Sequence, residues 1–174
     1  MRRIRYQVAM SLDGYIAGPN GEHDWIPTDP DIEFAAFFAQ FDTVLVGRRT
    51  FEPMVESGSA SMFADMKMFV FSKTLSKGEH PGITIIGDNW EQTVASLRDE
   101  SGKDIWLFGG GQLFQSLLGA KLIDTVEIAV VPVLLGGGMQ MAPPPISTEK
   151  LELTNHKVYG KSGIVLLEYV LMRP

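Results

Sequence analysis

The chain has 174 residues, 45% of them hydrophobic, a size that suits a single domain (1–174) with a full core. A formal net charge of −6 excludes a general nucleic-acid binder and a membrane-surface protein, because both need a positive field. Without cysteine there are no disulfides, thiolate nucleophiles or thiolate metal ligands, and His23, His80 and His156 fall in no paired ligand spacing, so no metal is expected. No apolar run reaches the length of a membrane span, and the basic start Met1-Arg-Arg-Ile-Arg5 leads into polar residues rather than a signal core, which points to the cytoplasm.

Ile4 to Leu12 alternates Ile4, Tyr6, Val8 and Met10 with Arg5, Gln7, Ala9 and Ser11, the period of a strand. Tyr15 to Ala17 continues it after Asp13-Gly14, and Gly18-Pro-Asn-Gly21 opens a loop that runs to Thr28. Thr28-Asp-Pro-Asp31 then supplies the cap and early acids of a helix, whose apolar face is Phe34, Phe37, Phe38 and Phe41. Thr43 to Val46 is the next strand, ending at Gly47, and Arg48 to Glu52 starts a helix that Pro53 interrupts or kinks. Strands follow at Met66 to Phe71 and Ile83 to Ile86, and Trp90, Val94 and Leu97 mark a helix running to about Ser101. Ile105 to Phe108 is a short buried strand, and Leu113, Leu117 and Leu118 lie on one helical face beyond it. After the strand Thr125 to Val131, Gly136-Gly-Gly138 and Pro143-Pro-Pro145 mark a long irregular loop. Leu151 to Tyr159 and Gly163 to Leu171 close the chain as a hairpin. Early strands alternate with helices and late ones do not, which predicts a mostly parallel α/β sheet with an antiparallel hairpin at its C-terminal end.

In such sheets ligands lie at the carboxyl ends of the strands, and two of those ends carry anion-binding chemistry. Gly109, Gly110 and Gly111 stand between a strand and a helix, where bare N–H groups and the helix dipole favour a phosphate. Gly47-Arg48-Arg49-Thr50 repeats the plan with two guanidinium groups. Two positive charges at a helix N-terminus are unfavourable for the helix, and an anionic ligand would repair that fault. Together the two ends suit a long anionic ligand such as a dinucleotide. Gly82 and Gly87 have the spacing of a P-loop, but Asp88 and Asn89 replace its Lys and Ser/Thr. The candidates for proton transfer or substrate orientation are the carboxylates Asp13, Asp24, Asp29 and Asp31.

Ala9-Met-Ser-Leu-Asp-Gly-Tyr-Ile-Ala17, Asp24-Trp25, Asp42-Thr-Val-Leu-Val-Gly-Arg-Arg-Thr-Phe-Glu52, Phe71-Ser-Lys-Thr74 and Leu107-Phe-Gly-Gly-Gly-Gln112 occur in this order. Together they resemble the dihydrofolate reductase superfamily. The resemblance is closer to the reductase half of the bifunctional deaminase-reductase of riboflavin biosynthesis and its free-standing relatives, and Leu122-Ile-Asp124 and Pro132-Val-Leu-Leu-Gly-Gly-Gly138 extend it. It implies a three-layer α/β/α fold, NADPH as hydride donor and a homodimer, an association that the apolar hairpin also suggests. Gly47, Arg48, Arg49 and Thr50 would take the adenosine 2′-phosphate and pyrophosphate, and Ser72, Lys73 and Thr74 the adenosine side. Gly109, Gly110, Gly111 and Gln112 would hold the pyrophosphate, while Ala9, Ile16 and Ala17 flank the nicotinamide. Asp13 would orient or protonate the substrate, a small heterocyclic or ribosylamino compound, with Trp25 stacked on it and Asp24 and Asp31 as further substrate contacts. A deaminase half, which needs histidine and cysteine zinc ligands, has no counterpart. Dihydrofolate or pterin reduction, anchored by a carboxylate near Asp29 or Asp31, is the enzymatic alternative, and a catalytically idle NADPH-binding module is the other.

Overall fold

A computed structural model describes residues 1–76, 78 and 80–173. The strands β1 (Ile4–Ser11), β3 (Phe41–Gly47), β4 (Lys67–Phe71), β5 (Ile83–Ile86), β6 (Asp104–Gly109), β7 (Thr125–Val131), β9 (Leu151–Val158) and β10 (Val165–Leu171) form one eight-stranded sheet in the order β5-β4-β3-β6-β1-β7-β10-β9. The first six of that order are mutually parallel; β10 runs antiparallel to β7 and to β9. The short strands β2 (Tyr15–Ala17) and β8 (Met139–Gln140) pair separately. The expected mixed sheet with its C-terminal antiparallel hairpin is therefore present.

Alternation along the strands divides the core between two faces. Tyr6, Leu45, Leu107 and Ile128 face the helices α3 (Trp90–Asp99) and α4 (Gly111–Gly119), packing with Val94, Leu97, Phe114 and Leu117. Val44, Val46, Val70 and Trp106 face the other way, toward α1 (Phe34–Phe38) and α2 (Arg48–Glu56), whose Phe37, Phe38, Phe51 and Met54 cover them. Trp106 is the centre of this second layer, with Phe37, Phe38, Phe41, Phe63 and Phe108 around its ring.

Three local expectations change. The helix expected after Thr28 is five residues long, begins after Glu33 and buries none of its residues. Phe41 leaves it to open β3, and Phe34 is 50% exposed. The aromatic run has weak helix propensity, and pairing with β6 offers Phe41 a buried place in the sheet. Second, α2 runs on through Pro53 to Glu56. The ring removes the one N–H that would donate to the Arg49 carbonyl, while buried Phe51 and Met54 hold the turn. Third, the loop after β7 is not wholly irregular, since it contains β8.

Candidate functional site

The carboxyl ends of β1, β3, β4 and β6 bring Asp13, Gly47, Ser72 and Gly109 to one edge of the sheet. Two helices start there, and their first turns look alike. α2 begins after Gly47 and α4 after Gly110; neither has a side-chain cap nor an acidic residue in its first turn. Their leading amides are thus left for an anion at the positive ends of both dipoles. The two starts also abut. A methyl group at Gly47 would lie 3.5 Å from the Gly109 carbonyl oxygen, and one at Gly110 would lie 3.3 Å from Thr50 Oγ1 and 4.0 Å from Ile16 Cδ1. Gly47 and Thr50, Gly109 and Gly110, and Ile16, from three separate stretches of the chain, therefore come together at this edge, and a Cβ at Gly110 would crowd Thr50 and Ile16.

Gly111 differs. A side chain there would collide with the Gln140 carbonyl oxygen, so this glycine serves the close packing of the 140–143 segment against α4. Gln112, the next residue in the same first turn of α4, is exposed. Arg48 and Arg49 flank the same edge from α2. The Arg48 guanidinium reaches Glu52 at 3.3 Å, one helical turn on, with both side chains 41% exposed. Arg49 is exposed and, among the described residues, takes part in no ion pair. Such a loosely paired guanidinium can exchange its carboxylate for a phosphate at little cost.

At the end of β4, Ser72 uses its hydroxyl inwardly: Oγ accepts the Thr74 N–H at 3.1 Å and the Leu75 N–H at 2.9 Å, shaping the turn. Lys73 pairs with Asp88 at 2.7 Å across the ends of β4 and β5. The hydrogen bond and charge of Asp88 raise the Lys73 pKa, and Lys73 lowers that of Asp88. Thr74 is exposed.

Asp13 is more firmly committed than a proton donor should be. One oxygen accepts the Ser11 hydroxyl at 2.6 Å and the Leu135 N–H at 3.1 Å, and the other accepts the Gly136 N–H at 2.7 Å. These bonds, the Ser11 one foremost, hold its carboxyl below the usual range. The same bonds favour the ionised carboxylate over the protonated form. Ser11 also accepts the Tyr15 N–H at 3.0 Å, and Leu12 donates to Val133 at 2.8 Å, so residues 11–15 and 133–136 form one unit. Ala9 and Ala17 are half-buried beside it.

The loop candidates separate. Trp25 is half-buried, donates from Nε1 to the Glu22 carbonyl at 3.0 Å, and packs on the cluster of Val131, Tyr159 and Ile164 to which Ala9 also belongs. Asp24 beside it is exposed. Asp31 turns away to pair with Lys161 at 3.0 Å. Asp29, 1% exposed, gives its two oxygens to the N–H groups of Asp31 and Ser162, each at 2.9 Å. Sequence reasoning missed Glu52, although its i,i+4 spacing from Arg48 was a visible signal. It also missed Asp88, Ser11 and the Leu135 and Gly136 amides, which only the folded chain brings to their partners. Among the described residues no group of three or more histidine, aspartate or glutamate side chains gathers to hold a metal ion.

Comparison with known proteins identifies the family and the fold. The model of the RibD C-terminal domain family matches residues 2–165. The uncharacterised protein YyaP of Bacillus subtilis (strain 168) is 34% identical over 97% of this chain and 94% of its own. Among solved structures, a protein from Shewanella sp. PV-4 provisionally assigned to riboflavin biosynthesis superposes with a TM-score of 0.83 at 26% identity, covering 98% of this chain and 99% of that one. The fold is shared with dihydrofolate reductase from Enterococcus faecalis, solved in complex with NADP(H) and RAB-propyl, at a TM-score of 0.72 and 16% identity over 98% of this chain and 97% of that one. The chain therefore belongs to the RibD C-terminal domain family.

Proposed function

We propose that this chain is a cytoplasmic NADPH-dependent reductase acting on a small heterocyclic or ribosylamino substrate. The observation that carries the proposal is the meeting of two uncapped helix N-termini, α2 and α4, at adjoining glycine strand ends with arginines on one side. Together they would make a cradle for a dinucleotide diphosphate, in which a Cβ at Gly110 would crowd Thr50 and Ile16. When bound, NADPH would supply the hydride, and the residues of this chain do the rest. Arg48 and Arg49 would hold the 2′-phosphate, and the amides at the starts of α2 and α4, with Thr50 and Gln112, the pyrophosphate. Ser72, Lys73 and Thr74 would border the adenosine. Ala9, Ile16 and Ala17 would bound the nicotinamide and keep water from it. Ionised Asp13 would orient the substrate, Trp25 would stack on it, and Asp24 is the carboxylate left facing solvent beside it.

The pterin alternative is less well supported, because Asp29 and Asp31 are both engaged by the hairpin turn. For assembly we propose a homodimer through β9, an edge strand exposed along its whole length, with Leu151, Leu153 and Val158 at 42%, 49% and 63%. Light scattering on the purified protein checks this; a monomer at micromolar concentration refutes it. Among the described residues no helix is long and apolar enough to cross a membrane.

The deciding experiment is titration with NADPH and, separately, NADH, followed by tryptophan fluorescence. Saturable binding that favours NADPH is the expected result; binding of neither removes the proposal. Nicotinamide absorbance with candidate substrates then separates a working reductase from an idle NADPH-binding module.

A further inference from the structure

Residues 18–33 pass over the carboxyl ends of β1 and β7, yet little of their fastening comes from the sheet itself. Most of their hydrogen bonds are local: Gly18 to Glu22, Gly21 to Gly18, Ile26 to His23, and Trp25 Nε1 to Glu22. Among the described residues, the hydrogen bonds that tie this segment to distant parts of the chain both end on the turn between β9 and β10. One joins Asp31 to Lys161, an exposed pair of the kind that contributes little. The other is the Asp29 carboxylate on the Ser162 amide, and Asp29 is 1% exposed. The apolar fastening points the same way, since Trp25 and Ile32 pack on Tyr159 and Ile164, which flank that turn, and on Val131.

We propose that Asp29 is a positioning residue: a buried latch that fixes the loop bearing Asp24 and Trp25 to the 160–163 turn, so that the hairpin sets the shape of the substrate side of the cleft. A carboxylate suits the role because it offers two acceptors, one for the loop's own Asp31 amide and one for the turn. Burial excludes the water that would otherwise compete for them. The proposal rests on the reductase reading for the meaning of the loop, but its geometry stands apart from the cofactor cradle.

The test uses the full chain labelled with 5-fluorotryptophan, whose three tryptophans, Trp25, Trp90 and Trp106, give separate fluorine resonances; Trp25→Phe assigns the first. In Asp29→Ala the Trp25 signal should shift toward that of exposed indole while Trp90 and Trp106 stay in place. No change at Trp25 overturns the latch. So does joint movement of all three, which would make Asp29 a support of the whole fold. Amide exchange in the unaltered protein gives an independent check: the Ser162 N–H should exchange at least about tenfold more slowly than an open turn amide, and free exchange there refutes the proposal. NADPH binding by Asp29→Ala should stay within about twofold of the parent, because the side-chain bonds of Asp29 go to Asp31 and Ser162 and to none of the glycine or arginine residues assigned to the cofactor phosphates. Once a substrate is identified, KM should rise with kcat little changed. Failure of the unaltered protein to bind NADPH would defeat the reductase reading and leave the latch standing.

Discussion

The two ends of the sheet carry charge in opposite ways. At the amino ends of the strands, Arg2, Arg5, Arg98 and Glu127 are all less than one-tenth exposed, and each has its counterpart. Arg5 grips Glu127 through two 2.7 Å bonds, Arg98 grips Asp124 at 2.7 and 2.9 Å, Arg3 meets Asp104 at 2.6 Å and Arg2 pairs with Asp42. Burial works to lower the Arg5 pKa, but the bonds and charge of Glu127 outweigh it, and the guanidinium is held more firmly charged. At the carboxyl ends the glycines expose helix amides, Arg48 has one loose partner, and Arg49 is open to solvent. Charge at the first end is consumed in joining β1, β3, β6, β7 and α3; at the second, Asp13 and Lys73 are engaged within the chain, but Arg48 has one exposed partner and Arg49, among the described residues, has no ion pair. The contrast supports the proposed site better than either end alone.

The contrast can be broken most forcefully at Arg5. Arg5→Ala leaves Glu127 buried without its counter-charge, and urea denaturation should show a loss of about 3–5 kcal/mol; a loss below about 1 kcal/mol would mean that water or another group replaces the guanidinium. Acid should act on the same end. Asp42 and Asp104 have lowered pKa values: burial alone would raise them, and the Lys103 amide with Arg2 for Asp42, and Arg3 for Asp104, outweigh it. Groups lowered in the folded state contribute fully above the unfolded carboxylate pKa, and that contribution is lost as pH falls through the lowered folded values. The urea midpoint should therefore be flat from pH 7 to about 5 and fall progressively below about pH 4, and Arg48→Ala should not alter the shape of that fall.

Neighbouring glycines sharpen the comparison at a smaller scale. Gly111→Ala drives a methyl group into the Gln140 carbonyl and should cost about 1–3 kcal/mol of stability. Gly110→Ala meets Thr50 Oγ1 at 3.3 Å and Ile16 Cδ1 at 4.0 Å, both side-chain atoms, so it should leave stability nearly intact and weaken NADPH binding. A reversed pattern in thermal unfolding and cofactor titration would show that the cradle is misassigned. The smallest effect on stability belongs to Arg48→Ala, within about 0.5 kcal/mol because its pair with Glu52 is exposed. Its effect on NADPH affinity should be about tenfold, equivalent to one charged hydrogen bond, with NADH affinity unchanged.

Much of this site was legible before the fold. Glycines at strand ends, Arg48 and Arg49 at a helix start, and strict alternation in β1 are local signals, and local backbone chemistry governs them. The extent of the first helix was not legible, because Phe34, Phe37, Phe38 and Phe41 have helical spacing but Phe41 is claimed by pairing with β6. Asp13 and Asp29 were visible as carboxylates without visible partners: the Leu135, Gly136 and Ser162 amides lie more than a hundred residues away in the chain. Periodicity and turn chemistry act over a few residues, so the sequence by itself determined the long strands, the glycine-led helix starts and the hairpin, though not the short β8. Which carboxylates are engaged, which glycine is packed against the 140–143 segment, and what fastens the 18–33 loop depend on distant segments meeting at close range, and only the tertiary structure decided them.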